Sequence, residues 1–387
     1  MIIAWVILLL SVTLVLHTYV LYPALLKVLS RIKTKRKNYS PKTYKVAVLI
    51  AAYNEEQIIK EKLASVLNNI PNNVNLDVFV GSDASSDSTN DIVNNLKSEF
   101  ENLHLVNFEA RTGKASIINK LAEKCDHDVL IPTDANVLFH EDTISELLLP
   151  FEEDKIKMVC ANILKRTKSQ STFENIEKSY IDRENSIKLA ESELWDLVMG
   201  AEGGCYAIRS SSYDPVPKNF FMDDFFMTMQ VLEKNGKVVF RENAICFEDI
   251  PDKASEEFKR KIRISIGNFQ NLVRFKHLLF PIWSKVAFSF WSHKVLRWLT
   301  PFFLIFSFAS SIILATCYSF MLVIVIVQVV LFLSPLISFF KLNSRITNLI
   351  IHFYFMNLAL LIGFFRYLVG VKSSVWTPTL RNVKSNE

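Results

Sequence analysis

Apolar residues are spread unevenly along the 387-residue chain. Residues 2–29 contain no Asp, Glu or Arg and a single Lys, a run long enough to cross a bilayer core of about 30 Å. A second apolar block, residues 299–340, breaks near 317–319 and reads as two spans. A third stretch, residues 346–368, is interrupted by Asn357, Gly363 and Arg366. Between these ends the pattern changes. Short β-branched runs at 44–52, 76–81, 103–108 and 128–132 alternate with helix-like segments at 55–68, 87–100 and 114–124. Apolar strands separated by helices predict an α/β domain, with a mostly parallel sheet and helices on both faces. The expected layout is a membrane anchor over 1–30, the α/β domain over 38–252 and amphipathic interface helices over 253–295. A C-terminal membrane region over 296–370 and a tail over 371–387 complete it.

Composition sharpens the membrane reading. Half of the chain is hydrophobic and 30 residues are Phe, too apolar for an ordinary soluble enzyme. No basic n-region or small-residue cleavage site precedes residue 30, so the first span reads as an uncleaved anchor. Arg31, Lys33, Lys35, Arg36 and Lys37 follow it directly. By the positive-inside rule they place the start of the polar domain in the cytoplasm and the N-terminus outside, within a multi-pass membrane protein. The net charge of +5 follows largely from such membrane-flanking clusters, and no basic face suits nucleic acid. Counting spans puts the C-terminus outside, whereas Lys372, Arg381 and Lys384 favour the inside. A re-entrant or broken last segment would reconcile the two. The five cysteines show no Cys-x-x-Cys spacing, which suits a reducing compartment and speaks against zinc or a disulfide framework.

In parallel sheets ligands bind beyond the carboxyl ends of the strands. Here those ends read Ala52-Tyr53-Asn54-Glu55-Glu56, Asp83 with Ser85-Ser86-Asp87-Ser88-Thr89, and Asp134-Ala135-Asn136. No Gly-x-Gly-x-x-Gly or P-loop motif is present, which removes the fingerprints of dinucleotide and P-loop enzymes. Acids facing a phosphorylated ligand need a metal or basic partners, and Arg111-Thr112-Gly113-Lys114 before a helix N-terminus could supply them. Asp87 reads equally well as a helix cap. Asp223 and Asp224 stand between Phe221-Met222 and Phe225-Phe226. Burial and a like-charged neighbour raise a carboxyl pKa and make it a proton acceptor near neutrality; alternatively, Asp223 simply caps a helix over 224–234. Glu202-Gly203-Gly204 marks either a backbone closely approached by ligand or tight turns. Residues 256–280 read as an amphipathic helix suited to anionic lipid.

Taken in order, these motifs resemble those of family 2 glycosyltransferases. The likeness is to the membrane-bound branch containing cellulose, chitin, hyaluronan and poly-N-acetylglucosamine synthases, over nearly the whole chain. The resemblance implies a GT-A fold, a nucleoside diphosphate sugar donor (usually a UDP-sugar) and Mg or Mn as cofactor. It implies that Ala52, Tyr53 and Glu55 hold base and ribose, that Asp83 contacts the uracil end, and that Arg111 and Lys114 serve the nucleotide's diphosphate. Asp134 and Asn136 occupy the Asp-x-Asp metal position, with a neutral amide where the family has its second acid. Asp224, beside Asp223, resembles the general base, and Glu202 and Gly203 lie near the acceptor sugar. Arg260-Lys261-Ile262-Arg263-Ile264 resembles the Gln/Arg-x-x-Arg-Trp motif, implying diphosphate contacts from Arg260 and Arg263, but Ile264 cannot stack as Trp does. Trp376 in the tail could supply an aromatic platform. The expectation is an inverting hexosyltransferase that extends a β-linked polysaccharide at the lipid bilayer, acting on a growing glycan, with room for an export or regulatory partner subunit. The alternatives are transfer of one sugar to a lipid-linked acceptor, or a nucleotide-binding transporter or sensor without chemistry.

Overall fold

The computed structural model describes residues 1–33, 39–166, 172–249, 254–337 and 345–370. The described residues form two compact units. One comprises 39–166 and 188–249, the other 1–32, 172–187, 254–337 and 345–370.

The first unit is built on an eight-stranded sheet. Its strands are β1 (Tyr44–Ala52), β2 (Val74–Asp83), β3 (Leu103–Phe108), β4 (Val129–Asp134), β5 (Leu138–Phe139), β6 (Ile156–Arg166), β7 (Tyr206–Arg209) and β8 (Lys237–Asp249), in the spatial order β3-β2-β1-β4-β7-β6-β8-β5. Val46, Val48 and Ile50 of β1 and Val78 and Val80 of β2 are fully buried, as expected for β-branched residues in a sheet covered on both faces. The parallel order expected from the sequence holds for β3-β2-β1-β4 and for β6 with β8. The four-residue β7 runs against both of its neighbours, so the sheet as a whole is mixed.

Register decides what gathers at the rim. Ala51 lies opposite both Gly81 and Asp134, so β1, β2 and β4 end level with one another. The loops after β1 and β2 satisfy each other's backbone groups. Ser86 N donates to Asn54 Oδ1 (2.9 Å), Glu55 N to Thr89 Oγ1 (2.9 Å), Glu56 N to Asp87 Oδ2 (3.1 Å) and Ser88 N to Glu56 Oε2 (2.9 Å). This pairing delays the first helix, which runs Ile59–Leu67 rather than from residue 55. Asp87 Oδ1 also accepts from Thr89 N at 3.0 Å, the turn role anticipated as one of its two readings.

In the second unit, helices Ile2–Ile32, Lys285–Ala315 and Ile346–Val369 are long and apolar enough to cross a membrane, and Phe320–Ser334 is a shorter apolar helix. Residues 316–319 separate the helices Leu296–Ala315 and Phe320–Ile337, near the expected break. The last segment is one continuous helix, Arg345–Val369, without a break. Asn357 and Gly363, two of its interruptions, have local explanations. Asn357 Nδ2 donates to the Phe353 carbonyl at 2.8 Å, and Ser265 Oγ donates to the Leu360 carbonyl at 2.9 Å. A Cβ on Gly363 would sit 2.3 Å from that of Ser265, so helix Ala254–Arg274 packs where Gly363 allows it. Glu184 is enclosed by His293 (2.9 Å), Lys294 (2.5 Å) and Arg297 (2.7 Å). Burial opposes its charge, but these neighbours, Lys294 foremost, outweigh burial and hold its pKa well below the usual carboxylate range.

Within the sheet unit, Asn119 ties the loop ahead of the acid pair to helix Lys114–Ala122. Its Oδ1 accepts from Val216 N (3.0 Å) and Tyr213 Oη (2.8 Å), and its Nδ2 donates to the Val216 carbonyl (2.9 Å). Asn119→Ala strands these groups and should destabilise the protein by about 1–3 kcal/mol, read as a lower thermal midpoint. An unchanged midpoint would show that this tether carries no stability.

Candidate active site

Asp83 ends β2 almost fully buried, and both of its carboxylate oxygens are engaged. Oδ1 accepts from Thr112 N at 2.6 Å, while Oδ2 accepts from Gly113 N and Arg111 Nε, both at 3.1 Å. Asp83 therefore shapes the 111–113 loop that delivers Lys114 to the rim. Gly113 has φ 86° and ψ 155°, a conformation essentially confined to glycine, and it starts helix Lys114–Ala122. The Arg111 guanidinium lies 3.2 Å from the centre of the Tyr53 ring. Ala52 is buried at the end of β1, and Glu55 is buried just beyond it.

Lys114 is the hub. Its Nζ lies 2.6 Å from Asp134 Oδ1 and 3.7 Å from Asp223 Oδ2, and donates to the Gly203 carbonyl at 2.8 Å. Burial works against the ammonium, but Asp134 and Asp223 more than compensate and raise its pKa, so it stays charged. Asp223 opens helix Asp223–Glu233, with Met222 at the N-cap and no side-chain cap bond; the capping alternative is not what the structure adopts. Asp224 is 6% exposed. Burial first and Asp223 second raise its pKa to about 7, against the opposing pull of Lys114. A methyl group on Gly203 would lie 3.2 Å from Asp224 Oδ2. The bare Cα of Gly203 therefore leaves space beside that carboxylate. Gly204 is needed for close packing, since a Cβ there would meet Ile163 Cδ1 at 2.6 Å.

Sequence reasoning thus located a set that the structure brings together: Asp83, Arg111, Lys114, Asp134, Gly203, Asp223 and Asp224. Glu202 adjoins it, its Oε1 2.7 Å from Nζ of the buried Lys188. Arg260 and Arg263 belong to the helical unit, on helix Ala254–Arg274, where Arg260 Nε lies 3.0 Å from Glu257 Oε2. Trp376 lies outside the described residues. Two neighbours escaped the sequence reading. Glu248 Oε1 accepts from Asn136 Nδ2 at 3.4 Å and pairs through its other oxygen with Lys165. Lys62 is fully buried behind β4, where burial pushes its pKa down to about 8. A signal for Lys62 existed, because it occupies the apolar stripe of Ile59, Leu63, Val66 and Leu67.

The oxygens available at the Asp134-x-Asn136 turn are hard donors. The partly exposed Asp134 carboxylate already attracts an ammonium, and Asn136 keeps its amide oxygen while its nitrogen faces Glu248. This donor set fits a divalent cation such as Mg or Mn.

Carboxylates and a fixed ammonium thus gather at the carboxyl rim of the sheet. Residues 47–215 match the family described as Glycosyl transferase family 2. That segment is a family 2 glycosyltransferase domain within a chain of GT-A-like fold, and the two together support a hexosyltransferase. No curated protein sequence matches it. Among solved structures, it is similar to the mannosyltransferase PcManGT from Pyrobaculum calidifontis in complex with GDP-Man and Mn2+. The TM-score is 0.70 at 18% identity, over 94% of this chain and 99% of that one, so the two share a fold. Glucosyl-3-phosphoglycerate synthase from Mycobacterium tuberculosis, in complex with Mn2+, UDP-glucose and phosphoglyceric acid, is also similar. Its TM-score is 0.42 at 13% identity, over 62% of this chain and 86% of that one.

A raised carboxyl pKa has a sign. The unfolded Asp224 titrates near 3.8 and the folded one at about 7. The folded state therefore disfavours the charge; the cost is absent below pH 3.8 and complete above about 7. Asp224→Asn should raise the thermal midpoint at pH 8, by up to about 4 kcal/mol of stability, and the gain should shrink toward zero near pH 4. A destabilised variant at pH 8 would contradict this electrostatic picture.

Proposed function

We propose that Asp224 is the general base of an inverting hexosyl transfer, in which an acceptor hydroxyl displaces a nucleoside diphosphate from the anomeric carbon. The observation that carries this reading is a buried carboxylate with a pKa of about 7, beside the space left by Gly203. A new bond forms between the acceptor oxygen and the anomeric carbon while the bond to the diphosphate oxygen breaks. The hydroxyl proton passes to the Asp224 carboxylate, and the diphosphate departs with its electron pair. One displacement inverts the centre, so an α-linked donor gives a β-linked product. Asp223 helps to keep Asp224 a competent acceptor by raising its pKa. Lys114, held protonated by Asp134 and Asp223, supplies positive charge toward the leaving diphosphate. Asp134 and Asn136 would hold a divalent cation, which when bound neutralises charge on that leaving group. Tyr53 and Glu55, with the Arg111-Asp83 pair, would bound the base and ribose end, and Glu202 and Gly203 the acceptor end.

The three helices able to cross a membrane support an acceptor at the bilayer, and the basic residues from Arg31 to Lys37 favour a cytoplasmic sheet unit in a protein of the inner membrane. Under the leading reading the acceptor is a growing β-linked glycan fed from a UDP-sugar. One observation favours the alternative of a single sugar moved to a lipid-linked acceptor. Ile264, inside helix Ala254–Arg274, provides no aromatic face at the position where the processive motif places Trp. A guanosine diphosphate sugar is the second donor class, prompted by the GDP-Man bound to PcManGT.

The deciding experiment supplies the purified chain with Mn2+ and, separately, UDP-glucose, UDP-N-acetylglucosamine, UDP-glucuronate and GDP-Man. Diphosphate release and product size are then read. One donor should release its nucleotide, and high-mass product separates extension from single transfer. Asp224→Asn should lower turnover by about 100- to 10,000-fold; wild-type turnover would remove Asp224 from the base role. The rate should fall as pH drops below about 7, because Asp224 then becomes protonated. Gly203→Ala, at a position free of left-handed backbone strain, should cut turnover by about tenfold or more while leaving the thermal midpoint near wild type.

A further inference from the structure

Lys62 carries a buried ammonium whose hydrogen bonds go to the chain on either side of the 134–136 turn. Its Nζ donates to Thr133 Oγ1 at 3.0 Å and to the Val137 carbonyl at 2.5 Å, and it lies 3.8 Å from the centre of the Phe139 ring. Thr133 and Val137 flank Asp134-Ala135-Asn136, and Val137 N closes the turn by donating to the Asp134 carbonyl at 3.2 Å. The Thr133 hydroxyl in turn donates to the Gly204 carbonyl at 2.8 Å, next to the Gly203 carbonyl that receives Lys114. Filling the core alone would favour Leu or Met here, because an ammonium is costly to bury unless its donors are satisfied. The satisfaction comes from the segment that bears Asp134 and Asn136.

We propose that Lys62 is a positioning residue: by gripping both ends of the 134–136 turn, it fixes the Asp134 carboxylate and Asn136 amide in the geometry that receives a divalent cation and the donor diphosphate. The proposal rests on the reading that Asp134 and Asn136 hold that cation. The neutral amide gives the grip its purpose. With one charged ligand instead of two, affinity depends more on oxygens held in place before the ion arrives. Groups that orient metal ligands from behind contribute about 10- to 100-fold in metal affinity.

The test measures Mn2+ binding to the full chain in detergent, from the electron paramagnetic resonance signal of free Mn2+, in the presence of UDP or GDP. Lys62→Met keeps the side-chain volume and removes the donors. Thr133→Val keeps the shape and removes the hydroxyl, and it decides the matter alone should Lys62→Met fail to fold. Each variant should bind Mn2+ about 10- to 100-fold more weakly. Nucleotide affinity in EDTA should stay within about twofold of wild type, and excess Mn2+ should restore turnover. Wild-type Mn2+ affinity in the variants overturns the proposal, as does an equal loss of metal-free nucleotide binding, which would reveal general damage to the site. If the wild-type chain binds no Mn2+ with either nucleotide, the assignment of Asp134 and Asn136 falls, and the role of Lys62 falls with it.

Discussion

Lys114 sets a positive charge among Asp134, Asp223 and the Gly203 carbonyl, and three distant stretches of sequence meet at that point. Without the ammonium, Asp134, Asp223 and Asp224 would repel one another across a poorly solvated rim. With it, a positive charge sits between them while Asp224 is held at the edge of ionisation. Much of the surrounding structure serves to deliver this one group. Asp83 takes up the backbone N–H groups of Thr112 and Gly113, Gly113 adopts a conformation closed to other residues, and Asn119 pins the far side of the same helix.

Most of the rim was legible in the sequence because strand ends in a parallel sheet announce themselves. A β-branched run followed by acids and amides marks β1, β2 and β4, and register alone brings Asp83 and Asp134 to one edge. The acid pair was legible because carboxylates flanked by Phe and Met have few structural reasons to be there. Other features depend on contacts that no local pattern encodes. Helix Ile59–Leu67 starts late because Asn54 to Glu56 bind the neighbouring loop, and β7 runs antiparallel because its chain returns to the same rim. Lys62 looks like a surface lysine until its place in the apolar stripe is noticed, and Glu248 reaches Asn136 through the pairing of β5 with β8.

The helical unit obeys a different rule. Several of its polar groups meet a partner, as the Asn357 amide nitrogen does within its own helix turn and as Glu184 does among His293, Lys294 and Arg297. Gly363 interrupts an apolar stretch because Ser265 needs the space, so what reads in sequence as a weak point is a point of close packing. Hydropathy finds such helices by their average character, whereas these exceptions record their neighbours.

The reciprocal bonds between residues 54–56 and 85–89 carry a consequence for how such a chain can diverge. Each loop supplies acceptors that the other lacks, so neither can drift by itself without orphaning backbone groups at this end of the rim. Substitutions at Asn54, Glu56, Asp87 and Thr89 are therefore tied into a single evolutionary unit. Related sequences should exchange these residues as matched sets, and a graft of one loop from a distant relative should succeed only when its counterpart travels with it.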